Sequence, residues 1–92
     1  MRIRWTEPAS RDLTQISDYI EGHDGPSAAR RVALTIYQGV DSLTHFPFRG
    51  RPGRRPKTRE LVFPDLPFSA VYRIREDFIE IIRILHGAQN WP

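Results

Sequence analysis

The densest chemistry in this sequence is a run of cationic side chains in a stretch rich in proline and glycine. No acidic residue stands between Ser42 and Arg59. Guanidinium forks on a stiffened loop suit phosphate or carboxylate groups, because each fork makes paired hydrogen bonds. A solvated basic loop is the alternative interpretation. The lack of compensating acids favours an anion- or target-binding surface, made of Arg49, Arg51, Arg54, Arg55, Lys57 and Arg59.

A lone histidine near the end of the chain suggests a second kind of chemistry. His86 follows the apolar run FIEIIRIL and precedes Gly87 in the closing segment RILHGAQNWP. A metal-free nuclease needs proton-transfer groups and cations that stabilise the developing phosphorane charge. His86, Arg59 and Arg73 are the candidates for these roles. The spacing does not require them, so a structural histidine that closes the last strand is the favoured interpretation.

Composition excludes several classes of function. The chain has no cysteine, and its three histidines lack the spacing of metal ligands, so we predict neither a metal nor a cofactor. No segment approaches the roughly 18 apolar residues of a membrane span, and no secretory leader is present. We therefore expect a cytoplasmic protein without membrane contacts, built as a single domain over residues 1–92.

The positive charge is concentrated in the second half of the chain. Residues 1–41 hold five arginines and six acids, a net charge of −1, whereas residues 42–92 hold nine Arg or Lys and five acids, a net charge of +4. This asymmetry favours an anionic partner that docks on the second half. The partner is either a nucleic acid or an acidic protein.

The first half reads as a short strand followed by two helices. RIRW alternates apolar and charged residues as a half-buried strand does. Thr6 is a plausible N-cap, and an apolar face then recurs at helical spacing up to Gly22–Gly25. A second helix begins near Pro26. A connection of about four or five residues predicts an antiparallel helical hairpin. The two apolar stripes are Ala9, Leu13, Ile16 and Ile20, then Ala29, Val32, Ile36, Val40 and Leu43.

The second half reads as a loop followed by three strands, at Thr58–Phe63, Phe68–Ile74 and Phe78–Leu85. Their short connections require antiparallel pairing, since a parallel return needs a crossover of about a dozen residues. The predicted fold is therefore α+β, in the order β-α-α-β-β-β, with the helical hairpin packed on one face of an antiparallel sheet.

Strand alternation separates the sheet into two faces. If Tyr72, Ile82 and Ile84 face the helices, Arg73 and Arg83 lie on the open face. These arginines either keep that face hydrated or extend the anion-binding surface. We assign Arg83 to the anion-binding surface.

The order of elements, with the segments GRPGRRPKTREL, FSAVYRI and IEIIRILHGAQNWP, resembles the ParE/RelE superfamily, the toxins of type II toxin–antitoxin modules. The resemblance covers essentially the whole chain. It implies the fold described above and a cognate antitoxin whose C-terminal segment wraps the toxin.

The resemblance implies one of two targets. RelE- and YoeB-like members cleave messenger RNA on the ribosome without a metal, whereas ParE-like members inhibit DNA gyrase. Here Ser69 and Ala70 stand where the YoeB-like pattern has a catalytic arginine. The acid expected in the preceding loop is also missing, because Gly53, Arg54 and Arg55 occupy that stretch. The catalytic tyrosine of RelE-like members also has no counterpart in AQNWP. The ParE-like interpretation is therefore favoured, with Trp91 in a packing or target-docking tail.

A third interpretation is a non-catalytic nucleic-acid-binding module. Its basic loop would contact phosphates while Trp5 or Tyr72 stacks on bases.

Overall fold

A computed structural model of the chain describes residues 1–87. Five strands form one sheet, and two helices lie between the first and second strands along the chain. The elements are β1 (Arg2–Trp5), α1 (Glu7–Asp24), α2 (Pro26–Asp41), a short 3₁₀ turn (Ser42–Thr44), β2 (Arg51–Pro52), β3 (Arg59–Val62), β4 (Phe68–Ile74) and β5 (Phe78–His86).

The helical hairpin is confirmed, but its connection is shorter than predicted. Thr6 is the N-cap of α1, and its hydroxyl accepts a hydrogen bond from the Ala9 amide at 3.2 Å. α1 continues through Asp24, so that Gly25 alone separates the helices. Gly25 has φ of 91°, a conformation that glycine adopts without steric cost, and this reverses the chain in one residue.

The sheet is mixed, with the strand order β1-β5-β4-β3-β2. The predicted antiparallel meander of β3, β4 and β5 is confirmed. β1 instead pairs with β5 in parallel, because residues 6–77, which include both helices and β2–β4, lie between them and provide the long connection. β2, which the sequence presents as loop, adds a two-residue antiparallel strand beside β3.

Residue alternation on β3 and β4 places the core on the helix side of the sheet. Tyr72 and Ala70 are fully buried there, and Leu61 lies opposite Ala70. The helices contribute Ala9, Leu13, Ile36, Val40 and Leu43, and β5 contributes Ile79, Ile81 and Ile84.

A bulge in β5 changes the predicted faces of that strand. Val71 pairs with Arg83, but the next residue, Tyr72, pairs with Ile81. One extra residue is therefore accommodated in β5, and the strict alternation is lost. The prediction that Ile82 faces the helices is wrong, since Ile81 lies in the core in its place. Arg73 and Arg83 do leave the sheet from the face opposite Tyr72.

The buried Tyr72 hydroxyl fixes the loop that follows α2. It donates a hydrogen bond to the Pro47 carbonyl at 2.7 Å and accepts one from the Gly50 amide at 2.9 Å. Burial raises the pKa of Tyr72, which keeps the hydroxyl protonated for this role. A Cβ at Gly50 would lie 2.6 Å from the tyrosine ring and 2.9 Å from the Glu60 carbonyl, so only glycine fits.

We predict that Tyr72→Phe lowers the free energy of unfolding by about 1–3 kcal/mol, because it leaves a buried amide and a carbonyl without their partner. Urea unfolding followed by circular dichroism measures the change. Tyr37→Phe, at an exposed tyrosine of α2, is the matched control. Equal stability of the two variants would contradict the role assigned to the Tyr72 hydroxyl.

Candidate functional site

A small cleft lies on the open face of the sheet, where β2, β3, β4 and the end of β5 come together. Its cavity volume is about 40 Å³. It contains three of the predicted site residues, Arg51, Arg54 and His86. The remaining lining residues are Glu60, Ser69, Val71, Leu85 and Gly87. The cleft is therefore a cationic and imidazole-bearing site with room for a small group.

Glu60 is the acidic residue of the cleft, and sequence reasoning did not single it out. Its side chain is only 10% exposed, and Oε1 lies 3.3 Å from Nη2 of Arg51. The strand register places the two residues directly opposite each other on β3 and β2. Since β2 has no sequence signature, this cross-strand ion pair could not be predicted. The pair leaves Arg51 less available to an outside anion than a solvated arginine.

His86 lies at the end of β5 and is exposed. Its ring meets the edge of Phe68 at a centroid distance of 5.7 Å with an interplanar angle of 87°. The next residue is tied to the β4 side of the sheet by a hydrogen bond of 2.7 Å from the Gly87 amide to the Pro67 carbonyl. These contacts hold the imidazole at the mouth of the cleft, on the same side as Ser69 and Arg54.

Arg83 is engaged by a carboxylate of α1. Nε and Nη2 donate to the two oxygens of Asp12 at 2.7 and 3.0 Å. This hydrogen-bonded pair raises the pKa of Arg83. Asp12 also accepts from the Ile84 amide at 3.0 Å, on the stretch of β5 that extends beyond its pairing with β1. The Arg83–Asp12 pair therefore connects α1 to the edge of β5. A part for Arg83 in anion binding stays a prediction.

The other predicted cations occupy different positions. The Arg59 guanidinium lies 5.1 Å from the centre of the Phe48 ring, in a separate hollow that Lys57 also lines. Arg49 donates to the Ser42 hydroxyl at 2.8 Å. Arg73 does not line the cleft, and its Nε is buried without a hydrogen-bond partner. The predicted set Arg59, Arg73 and His86 is therefore not brought together. Trp91 lies outside the described residues.

The basic loop between β2 and β3 is closed by its own hydrogen bonds. Buried Thr58 donates its hydroxyl to the Arg55 carbonyl at 2.7 Å and accepts from the Gly53 amide through its carbonyl at 2.8 Å. A side chain at Gly53 would collide with the Thr58 hydroxyl. The loop therefore presents Arg54 from a constrained backbone. Residues 1–87 contain no cluster of His, Cys, Asp or Glu side chains that suits a metal ion.

The chain matches the family described as the ParE toxin of the type II toxin–antitoxin system parDE, over residues 3–91. This protein belongs to that family. It is 50% identical to "Putative toxin Y4kP" of Sinorhizobium fredii, with 99% of this chain and 93% of that protein covered. It is 38% identical to Toxin RelE2 of Caulobacter vibrioides, with 96% and 97% covered.

Solved structures have the same fold. A chain of the chromosomal ParDE system from P. aeruginosa superposes with a TM-score of 0.87 at 33% identity, covering 94% of this chain and 95% of that one. A chain of the RelBE2 toxin–antitoxin complex from Mycobacterium tuberculosis, at 23% identity, has a TM-score of 0.67 and shares the fold. The predicted superfamily and α+β fold are thus confirmed, and this protein is a type II toxin. In the described part of the chain, neither helix is long and apolar enough to cross a membrane.

We predict that Asp12→Ala lowers the free energy of unfolding by about 2–3 kcal/mol, because it removes the partner of Arg83 and of a β5 amide at once. Asp12→Asn should cost less, since an amide oxygen can still accept. Asp18→Ala, at an exposed acid of the same helix, should change stability by under about 0.5 kcal/mol. Chemical denaturation of the three variants tests this order, and similar losses for Asp12→Ala and Asp18→Ala would contradict it.

Proposed function

We propose that this toxin poisons DNA gyrase in the cytoplasm and is neutralised by a cognate antitoxin. One observation carries the proposal against the ribonuclease alternative. In the cleft that holds His86, Ser69 is part of the lining, and the Glu60 carboxylate is already paired with Arg51.

Phosphodiester cleavage without a metal requires a base, an acid and a cation that stabilises the developing charge. His86 supplies one proton-transfer group. Glu60 is a poor second one, because its carboxylate lies against Arg51 and is largely buried. Ser69 and Ala70 stand where the resemblance to YoeB-like members implies a catalytic arginine. This geometry is better suited to a structural or docking surface than to RNA cleavage.

The ribosome-dependent ribonuclease remains the second candidate. It is favoured by the meeting of His86 and Arg54 in one cleft, and by the RelE names of the relatives from Caulobacter vibrioides. In that case His86 would transfer the proton and Arg54 would stabilise the charge. The earlier candidates Arg59 and Arg73 are less suitable, since neither lines the cleft.

The proposal of an antitoxin partner is supported by the solved structures that share this fold. The solved neighbours come from a ParDE system and from a RelBE2 toxin–antitoxin complex. The net charge of +4 over residues 42–92 favours an acidic partner segment. Charge complementarity would speed the encounter, while buried apolar anchors would supply most of the affinity.

Production of this protein alone in bacteria is predicted to arrest growth, and co-production of the small protein encoded beside it is predicted to relieve the arrest. Viable counts after induction measure both effects. Circular dichroism of the purified product establishes that it is folded. A folded protein that leaves growth unchanged would contradict the proposal.

The two targets are separated by His86→Gln, with His23→Gln at the exposed end of α1 as the control. We expect both variants to keep gyrase inhibition, measured as loss of supercoiling and accumulation of cleaved DNA. A ribonuclease would instead cut transcripts on translating ribosomes, and His86→Gln would slow it by about 10²- to 10⁴-fold. Ribosome-dependent cutting that disappears only in His86→Gln, with gyrase unaffected, would overturn the gyrase proposal.

A further inference from the structure

The loop after α2 exposes two phenylalanines that the proposed function does not use. Phe46 is 64% exposed and Phe48 is 71% exposed. In the segment His45-Phe46-Pro47-Phe48-Arg49, Pro47 separates them, and His45 and Arg49 flank them. Large apolar side chains exposed side by side mark a binding surface more often than scattered ones do.

This exposure comes from a constrained backbone. The Tyr72 hydroxyl holds both Pro47 and Gly50 from below. The Phe46 amide donates to the Ser42 carbonyl at 3.0 Å, and the Arg49 amide donates to the Phe46 carbonyl at 3.1 Å. The two rings are therefore presented in advance, and a ligand does not have to order the loop.

Phe48 borders two hollows in the surface. One, of about 600 Å³, is lined by the loop residues 45–49 themselves. The other, of about 380 Å³, is lined by Phe48, Pro52, Lys57, Thr58, Arg59 and Ile74. Because the Arg59 guanidinium lies over one face of the Phe48 ring, a flat group can stack only on the other face.

Cations surround these rings. The Arg59 guanidinium lies 5.1 Å from the centre of Phe48, and its Nε is buried without a hydrogen-bond partner. Arg49 and Lys57 line the two hollows. No acidic residue occurs between Asp41 and Glu60 to neutralise them.

We propose that this aromatic and basic surface binds single-stranded DNA, with bases stacked on Phe46 and Phe48 and phosphates on Arg49, Lys57 and Arg59. A DNA strand carries flat aromatic bases and phosphates, and this surface places flat rings beside three cations. An acidic peptide would satisfy the cations but would not need aromatic faces. The two stacking residues suggested by the sequence are not suited to this role, because Tyr72 is fully buried and Trp5 packs on Tyr37 at a centroid distance of 5.3 Å.

The inference goes beyond gyrase poisoning, because it gives the toxin a contact with DNA itself. The DNA-binding proposal and the gyrase proposal can also be disproved independently of each other. Binding to free DNA is measured without gyrase, and supercoiling inhibition is measured whether or not that binding is found.

Fluorescence anisotropy with a labelled oligothymidine of about 12 nucleotides tests the proposal. We expect a dissociation constant between about 10⁻⁴ and 10⁻⁶ M that weakens steeply with salt. The double variant Phe46→Ala, Phe48→Ala should weaken binding about tenfold or more. Tyr19→Ala, which removes an aromatic side chain 66% exposed on α1, should leave it unchanged.

The double variant Phe46→Leu, Phe48→Leu separates stacking from apolar contact and is expected to fold, since both side chains are exposed. It should also lose DNA binding, because leucine retains apolar bulk without an aromatic face. The stacking of bases on the two rings would be contradicted if the leucine variant bound oligothymidine as tightly as the wild type. It would also be contradicted if the wild type bound an abasic chain of the same length with equal affinity. Tenfold tighter binding of the matching RNA would overturn DNA as the ligand, and so would equally effective competition by a polyglutamate peptide.

Discussion

The two candidate surfaces of this protein depend on one buried hydroxyl. Tyr72 lies in the middle of the central strand β4, on the helix side, and reaches past the core to hold the loop between α2 and β2 at two points. That loop leads into β2 and therefore positions Arg51 opposite Glu60. The same hydrogen bonds present Phe46 and Phe48 to solvent. The geometry of both the cleft and the aromatic surface thus depends on a fully buried core residue.

The fold was largely predictable because its strongest signals are local. Helical spacing of apolar residues indicated both helices, and short connections between β3, β4 and β5 required an antiparallel meander. The parallel pairing of β1 with β5 was not predictable in this way, since its partners are about 76 residues apart in sequence. The position of the bulge at Ile82 was also not predictable. The segment FIEIIRIL is apolar on both faces, so its sequence does not show where the alternation breaks.

The candidate site was less predictable than the fold, for a physical reason. Composition identified the cations, but the partner of each cation depends on tertiary contacts. Arg83 and Asp12 are 71 residues apart in sequence and form a two-point ion pair, whereas Arg51 and Glu60 meet across a strand without a sequence signature. Arg59 contacts Phe48 instead of the cleft. A run of like charges predicts an electrostatic surface, but it does not say which charges are already satisfied.

The alternation of residues along the strands separates the core positions from the cleft positions. On β3 and β4 the residues Leu61 and Ala70 face the core, while their neighbours Glu60 and Ser69 face the cleft. Because successive side chains alternate between faces, a substitution at a cleft position leaves core packing unchanged. An arginine in place of Ser69 would add a third guanidinium group to the cleft that holds His86, Arg51 and Arg54. One set of positions on the sheet therefore builds the core, and the other set determines the chemistry of the cleft.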